Sequence, residues 1–445
     1  MAYAIPKKLN DSPIARWTVL IIVATAMMMG YFVNDVMSPL ETMLEAPRSE
    51  GGLGWSSTDY GFFSGAGGLI NVYLLMLFFS GIILDKMGIR FTGVLATSLM
   101  VLGVVVKLYG MGFAEGEFCG FPSSVAIMSL GFAIFGVGYE MTGITVSKAM
   151  VRWFTGHELA LAMGLQLAMA RLGTAAALSI SAPIARSFSL SMPLLVSLAF
   201  LIIGLLSFLV FCVMDKRLDS SKQANANLQE NTDEEFHWSD ICVTLRSQGF
   251  WLITLFCLLF YSAISPFLKF ASKLLVMKYG VDPEVAGFIV SIAPFGTILL
   301  TPIFGSIYDR YGKGVSLIIT GAAMLACVHF AFSLPIHSNT FAIALMVVLS
   351  ISYSLAPSAL WPCVPKIIPL KCLGTSYSMI FFIQNFGRSI IPMIVGKVNE
   401  TDPSYQSSML VFSVTALGAM LVAIVMLRVD RKKGYGLQKP NIRYS

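Results

Sequence analysis

The chain has 445 residues, of which 56% are hydrophobic and only 12% are charged, and its mean hydropathy is +0.77. Soluble globular proteins carry about 25% charged residues, so this composition excludes a soluble protein and indicates an integral membrane protein. The net charge of +6 does not indicate nucleic-acid binding, because the basic residues are distributed by membrane side. We expect no nucleic-acid partner and no cofactor, and the seven cysteines form neither a CxxC pair nor a metal-ligand cluster.

Twelve apolar stretches follow one another along the chain, each near the roughly 20 residues that a membrane-spanning helix needs. They cover residues 17–39, 58–83, 91–112, 123–150, 159–186, 190–214, 249–277, 285–307, 315–334, 340–365, 373–396 and 407–428. The sequence therefore predicts an all-α membrane protein with twelve transmembrane helices.

The lysines and arginines outside these helices predict the orientation. Twenty lie on the side that holds both termini, which we call the tail side, and four lie on the opposite, far side. The four are Arg48, Arg186, Lys278 and Lys397. Because cytoplasmic loops carry the excess of basic residues, we expect both termini to be cytoplasmic.

One polar segment divides the helices into two groups of six. Residues 215–248 are acidic, amide-rich and poor in apolar side chains, which is typical of a partly disordered linker. The predicted domains are thus an N-terminal six-helix bundle (1–214), a cytoplasmic linker (215–248), and a C-terminal six-helix bundle with a basic cytoplasmic tail (249–445).

A repeated motif supports this division. GIILDKMGIR (81–90) follows the second helix, and GSIYDRYGKG (305–314) follows the eighth. Glycine permits tight turns and close helix approach, and the acidic and basic residues can form a charge latch between helix ends. Any short cytoplasmic loop can contain such residues. Two copies at matching positions of the two halves nevertheless favour the hypothesis that the motif gates the transport path. The predicted gating residues are Gly81, Asp85, Arg90, Gly305, Asp309 and Arg310.

Two opposite charges stand inside predicted helices, Glu140 in the fourth and Arg171 in the fifth. Charges at this depth usually face a cavity or a partner and mark a solute path. If both face one cavity, Glu140 can hold an ammonium group and Arg171 a carboxylate. The alternative is a structural ion pair that joins two neighbouring helices.

Six plus six helices, a cytoplasmic middle segment and paired G-x3-D-[KR]-x-G loops resemble the major facilitator superfamily over essentially the whole chain. The resemblance implies transport by alternating access, with a central site between two rocking bundles. The stretches WFTGHELALAMGLQLAMARLG (153–173), SALWPCVPKIIP (358–369) and LGTSYSMIFFIQNFG (373–387) are similar to a branch of lysosomal dipeptide uniporters. This branch implies that Glu140 holds the dipeptide amine, Arg171 its carboxylate, and that Trp361 lines the pocket.

One departure concerns location. The animal members carry an acidic dileucine signal that MAYAIPKKLNDSPIARW lacks, so we expect a bacterial inner (plasma) membrane, or a lysosomal membrane if the source is eukaryotic. The expected partners are a small-molecule substrate, which is a dipeptide or a small carboxylate, and membrane lipid. An accessory subunit on the far side is left open.

Several other polar residues have open roles. Asn34 and Asp35 either contact the substrate or simply end the first helix. Lys269 and Lys273 either attract an acidic substrate or extend to the far interface, and Arg388 has no assigned role.

Two alternatives to a dipeptide carrier remain. A carrier of small carboxylates would use Arg171 as the anion anchor and Glu140 as a proton site, and a receptor or scaffold would bind without transport. An enzyme is not expected, because the sequence contains no P-loop, HExxH or GxSxG motif.

Overall fold

The computed structural model describes residues 9–112, 116–118, 120–154, 157–223, 245–368 and 373–440. The N-terminal bundle contains α1 (Pro13–Asp35), α2 (57–87, broken), α3 (88–112), α4 (Ser123–Phe154), α5 (Leu159–Ser187) and α6 (Met192–Gln223). The C-terminal bundle contains α7 (Gln248–Tyr279), α8 (Pro283–Tyr311), α9 (Gly314–Ser333), α10 (Asn339–Ile367), α11 (Leu373–Thr401) and α12 (Gln406–Lys433). Short helices at Leu9–Asp11, Ser38–Leu40, Glu41–Glu45 and Arg48–Glu50, and the two-residue strands β1 (Glu117–Phe118) and β2 (Phe121–Pro122), lie outside these spans.

Eleven helices of the described chain are long and apolar enough to cross a membrane, and the remaining span is α2. It consists of Ser57–Ala66, Leu69–Tyr73 and the first part of Met76–Gly112, so no single piece reaches the required length. The twelve-helix prediction is confirmed with this interruption, and helix ends differ from the predicted ones by a few residues. The largest difference is in α6, which continues to Gln223 rather than ending at 214.

The first break in α2 lets α4 approach closely. Asn71 donates a side-chain hydrogen bond to the Gly136 carbonyl at 3.0 Å, and a Cβ added at Gly136 would lie 1.8 Å from the Gly67 carbonyl oxygen. Only glycine can occupy position 136 at this separation, because real Cβ contacts are far longer. Irregular backbone at membrane depth is tolerated where it lines a cavity, and Gly67 does so.

The turns of the repeated motif lie at its second glycine. Gly81 and Gly305 are inside helices, and a Cβ added at either would meet no atom within 4 Å. The backbone reverses at Gly88 (φ 80°) and Gly312 (φ 70°), in the left-handed region that favours glycine. Both turns lie inside the predicted loops, although the helices extend a few residues beyond the predicted ends at 83 and 307.

The two bundles meet along the middle and far half of the molecule. A Cβ added at Gly65 of α2 would lie 2.3 Å from the Ser389 carbonyl oxygen of α11, and one at Gly287 of α8 would lie 2.2 Å from the Leu178 carbonyl oxygen of α5. Hydrogen bonds and ion pairs join the two bundles throughout this region. The bundles are thus closed against each other on the far side.

Candidate functional site

A cavity of about 110 Å³ lies between the bundles at the centre of the spans. α1, α2, α4 and α5 form one wall, and α7, α10 and α11 form the other. Its charged lining residues are Asp35, Glu140, Arg171, Lys269 and Arg388. A charge at the bilayer centre costs about 2.5–3.5 kcal/mol on insertion scales, so five in one cavity mark it as the candidate functional site.

Two ion pairs cross this cavity from one bundle to the other. Arg388 of α11 donates from Nη1 to Glu140 Oε1 of α4 at 2.8 Å. Lys269 of α7 donates from Nζ to Asp35 Oδ1 of α1 at 2.7 Å. Because each pair joins opposite bundles, any relative movement of the bundles must change its geometry.

Arg171 is the cavity cation without a carboxylate partner among the described residues. Its Nη1 donates to the Tyr353 hydroxyl, and its guanidinium carbon lies 4.7 Å from the centre of the Tyr353 ring. The predicted alternative of an ion pair between Glu140 and Arg171 is therefore absent, since Glu140 is paired with Arg388 instead. With three cations and two carboxylates, the described lining has one positive charge in excess.

Aromatic and amide side chains complete the lining. Tyr31 and Tyr139 lie with ring centroids 5.0 Å apart, and the guanidinium carbon of Arg388 lies 5.9 Å from the Tyr139 ring centre. Gln384 also lines the cavity, and its buried Oε1 finds no hydrogen-bond partner among the described residues. Such a group is available to a ligand.

Asn34 and Asp35 both line the cavity and also end α1, so the two roles considered from the sequence coexist. The Asn34 amide donates to Asp35 Oδ1 at 3.0 Å, and Thr174 donates to Asp35 Oδ2 at 2.8 Å. Asp35 is thus fully engaged by protein groups, and Lys269 also donates to the Asn34 carbonyl.

Trp361 lies behind the cavity wall rather than in it. Its Nε1 donates to the Tyr261 hydroxyl at 3.2 Å, and Tyr261 is the residue that lines the cavity. The Trp361 ring also packs against Phe381, with centroids 5.4 Å apart. Trp361 therefore positions Tyr261 in this structure.

Lys273, one turn from Lys269, belongs to a separate far-side cluster. Its Nζ lies 3.3 Å from Glu41 Oε1, pairs with Glu45, and donates to the Ser57 hydroxyl at 2.8 Å. Glu41 is completely buried. We call Lys273, Glu41, Glu45 and Ser57 the far latch, because it joins α7 to the segment after α1 and to α2.

The tail side carries a charge cluster inside the N-terminal bundle. Arg90 donates to Asp219 at 2.9 Å, and Arg152 lies 3.0 Å from Asp215 and pairs with Asp219. The predicted latch around Arg90 thus joins α3 and α4 to α6, within residues that were assigned to the linker. Asp309 is half-buried and Arg310 exposed at the end of α8, and the side chain of Asp85 lies outside the described residues.

Arg388 is the site residue that sequence reasoning left without a role. It stands at the middle of a 29-residue helix, and the criterion that selected Glu140 and Arg171, a charge at mid-membrane depth, selects it equally. The described residues contain no group of three or more His, Cys, Asp or Glu side chains that could hold a metal ion.

Comparison with known proteins agrees with this architecture. The family model described as Major Facilitator Superfamily matches residues 20–392. "Lysosomal dipeptide transporter MFSD1" of Homo sapiens is 28% identical over 389 residues, which cover 84% of this chain and 80% of that protein. The protein of the same name from Danio rerio is 28% identical over 365 residues, covering 80% of this chain and 75% of that one.

Among solved structures, the nucleoside transporter NupG superposes with a TM-score of 0.67 at 15% sequence identity, covering 93% of this chain and 99% of that chain. This similarity concerns the fold alone.

Proposed function

We propose that this chain, which belongs to the major facilitator superfamily, moves dipeptides across a membrane by alternating access. It is an integral, multi-pass membrane transporter rather than an enzyme. The observation that carries the dipeptide proposal is the state of Arg171, a cavity arginine with no carboxylate partner among the described residues. The two relatives are named as dipeptide transporters, which supports the same substrate class.

The carboxylate end of the substrate binds Arg171. A guanidinium presents a planar fork of donors that matches a carboxylate in two parallel hydrogen bonds. Its present partner, Tyr353, is a neutral hydroxyl, so a carboxylate compensates a charge that the protein leaves uncompensated. The same reasoning gives Arg171 the largest single share of substrate affinity.

The amine end of the substrate binds Glu140 in competition with Arg388. The Glu140–Arg388 pair crosses the bundle boundary, so an ammonium that takes over Glu140 releases one of the links between bundles. Substrate binding then changes the free-energy difference between the two states of the carrier, as a ligand must if it is to drive a conformational change. The zwitterion leaves the total charge of the cavity unchanged.

Uptake into liposomes tests the role of Arg171. We expect Arg171→Met to reduce uptake of a radiolabelled dipeptide roughly hundredfold, because truncating a buried charged partner costs about 2–5 kcal/mol. The matched control is Arg48→Met, an exposed far-side arginine, which should transport normally. Wild-type uptake by Arg171→Met, at equal amounts of reconstituted protein, would discard the site assignment.

A second candidate, a carrier of small carboxylates, is favoured by one observation. Glu140 is already neutralised by Arg388, so a simple anion could bind Arg171 without repulsion from a free carboxylate. This function has no use for Glu140 as an amine ligand. Glu140→Gln should therefore keep counterflow exchange of a small monocarboxylate, which needs no net proton movement, if the second candidate holds, and should impair dipeptide exchange if the first does.

A further inference from the structure

A second, smaller cavity lies beside the main one, toward the far side. Its volume is about 10 Å³, which is near the lower limit for one water-sized particle. Lys107 of α3 and Lys269 of α7 both line it, together with the hydroxyl-bearing residues Ser38 and Ser64. The cavity thus receives side chains from both bundles.

Lys107 is completely buried, and its Nζ finds no hydrogen-bond partner among the described residues. It lies over two aromatic rings, 4.7 Å from the centroid of Phe132 and 5.4 Å from that of Phe63. Cation–π attraction compensates part of the lost hydration. The ammonium has three N–H donors, however, and the two ring faces do not replace three hydrogen bonds. A buried charge of this kind requires a partner of opposite sign.

The nearby carboxylate of Asp35 does not supply that partner. It accepts from Lys269 at 2.7 Å, from Thr174 at 2.8 Å and from Asn34 at 3.0 Å. Lys269 also lies 5.7 Å from the centroid of the same Phe132 ring that Lys107 covers. Two ammonium groups therefore approach one ring, and the Asp35 carboxylate pairs with only one of them, Lys269.

The two hydroxyls point to the same kind of occupant. Ser38 and Ser64 are 1% and 7% exposed, and neither Oγ meets hydrogen-bond geometry with a described residue. The Tyr60 hydroxyl, which donates to the Lys269 carbonyl, nevertheless lies close to both. Buried hydroxyls are normally hydrogen-bonded. Two hydroxyl donors and one ammonium that line one small cavity match the coordination of a small anion, and a neutral water would leave the charge of Lys107 uncompensated.

From these contacts we propose that the small cavity binds one small monovalent anion such as chloride, held by Lys107, Ser38 and Ser64, and that the flexible Lys107 and Lys269 side chains withdraw slightly to admit an ion larger than water. Lys269 closes the site from the C-terminal bundle only while the bundles meet on the far side. The anion therefore binds the far-closed state most tightly and stabilises it. Separation of the bundles removes Lys269 and opens the site to water, so the anion is released when the far side opens.

Thermal unfolding of the purified full-length protein tests the proposal independently of transport. Chloride replaces gluconate at constant ionic strength, and bromide serves as a second probe. We expect the Tm of the wild-type protein to rise with the logarithm of the halide concentration L once this exceeds the Kd, because a ligand that binds only the folded state stabilises it by RT ln(1 + L/Kd). Lys107→Met should abolish the rise, whereas the exposed lysine variant Lys397→Met should keep it.

A milder variant covers the case in which Lys107→Met does not fold. Ser64→Ala removes one donor to a charged ligand, so the halide concentration at which the Tm begins to rise should increase roughly tenfold. A wild-type Tm that is the same in chloride and gluconate would overturn the proposal, as would an unchanged halide response in Lys107→Met or, if that variant is not folded, in Ser64→Ala.

Discussion

The far and tail sides of the molecule hold their charges in different ways. On the far side Lys273 of one bundle reaches the buried Glu41 of the other, and the helices touch through Gly65 and Gly287. On the tail side Arg90 and its partner Asp219 belong to the same bundle. The far side is thus held shut by contacts between bundles, whereas the cluster around Arg90 and Asp219 stabilises one bundle internally.

Removal of the central cation of the far latch should have the largest effect. Lys273→Met leaves Glu41 buried without its ammonium partner, and breaking a buried pair costs about 3–5 kcal/mol. We expect the population to shift toward the far-open state, seen as longer distances between spin labels placed on the far ends of α2 and α11. Lys278→Met is the matched control, because Lys278 donates to the Phe332 carbonyl within its own bundle. Equal distances in Lys273→Met and wild type would show that the latch does not hold the far side closed.

Substitution of a glycine on each side should have different effects, and the larger of the two should be smaller than the effect of Lys273→Met. Gly65→Ala places a Cβ 2.3 Å from the Ser389 carbonyl oxygen, and overpacking of this kind costs about 1–3 kcal/mol. It should destabilise the far-closed state and slow uptake. Gly81→Ala, at an open position of the tail-side motif, should transport like wild type. The same spin-label distances report both variants, and a larger change in Gly81→Ala would reverse the assignment of closed and open sides.

Loss of the exposed ion pairs at the rim of the far side should have the smallest effect. Arg186 lies 3.2 Å from Asp282 and 3.3 Å from Glu284, and solvent screens such pairs. The hydrogen bond from the Glu284 backbone N–H and the contact with Arg186 lower the pKa of Asp282 below its usual value. The contact is therefore present above the ordinary carboxyl pKa and is lost only as pH falls through the lowered value.

A titration of far-side label distances checks this sign. We expect the label distances not to change through Asp282 between neutral and mildly acidic pH. Asp282→Asn should give, at every pH, the distances that the wild-type protein shows only at the lowest pH. A transition near neutral pH that Asp282→Asn removes would contradict it.

The sequence predicted the fold because hydropathy and charge act locally. Twelve apolar stretches and the excess of lysine and arginine on one side follow from the cost of placing polar groups in lipid. The break in α2 was not predictable in this way, because it depends on Asn71 reaching the Gly136 carbonyl, a contact between residues far apart in the chain. The turns at Gly88 and Gly312 lie inside the predicted loops, because glycine in a short polar connection is also a local signal.

The site was predicted in part. Depth in the membrane was enough to select Glu140 and Arg171, and both line the cavity. Their partners were not predictable, because a single sequence does not say that α11 of the second bundle places Arg388 against Glu140 or that α10 places Tyr353 against Arg171. Trp361 was selected by resemblance alone, and it contacts the lining residue Tyr261 rather than lining the cavity itself.

The most direct test of the central claim, that one zwitterion joins Arg171 and Glu140, is competition for uptake by end-blocked dipeptides. Unmodified, N-acetylated and C-amidated forms of one dipeptide are compared against the same labelled substrate in liposomes. We expect both blocked forms to compete at least tenfold more weakly than the unmodified form, because each loses a hydrogen-bonded charge. Equal competition by the N-acetylated form would contradict the claim and leave Glu140 without a role in binding the substrate.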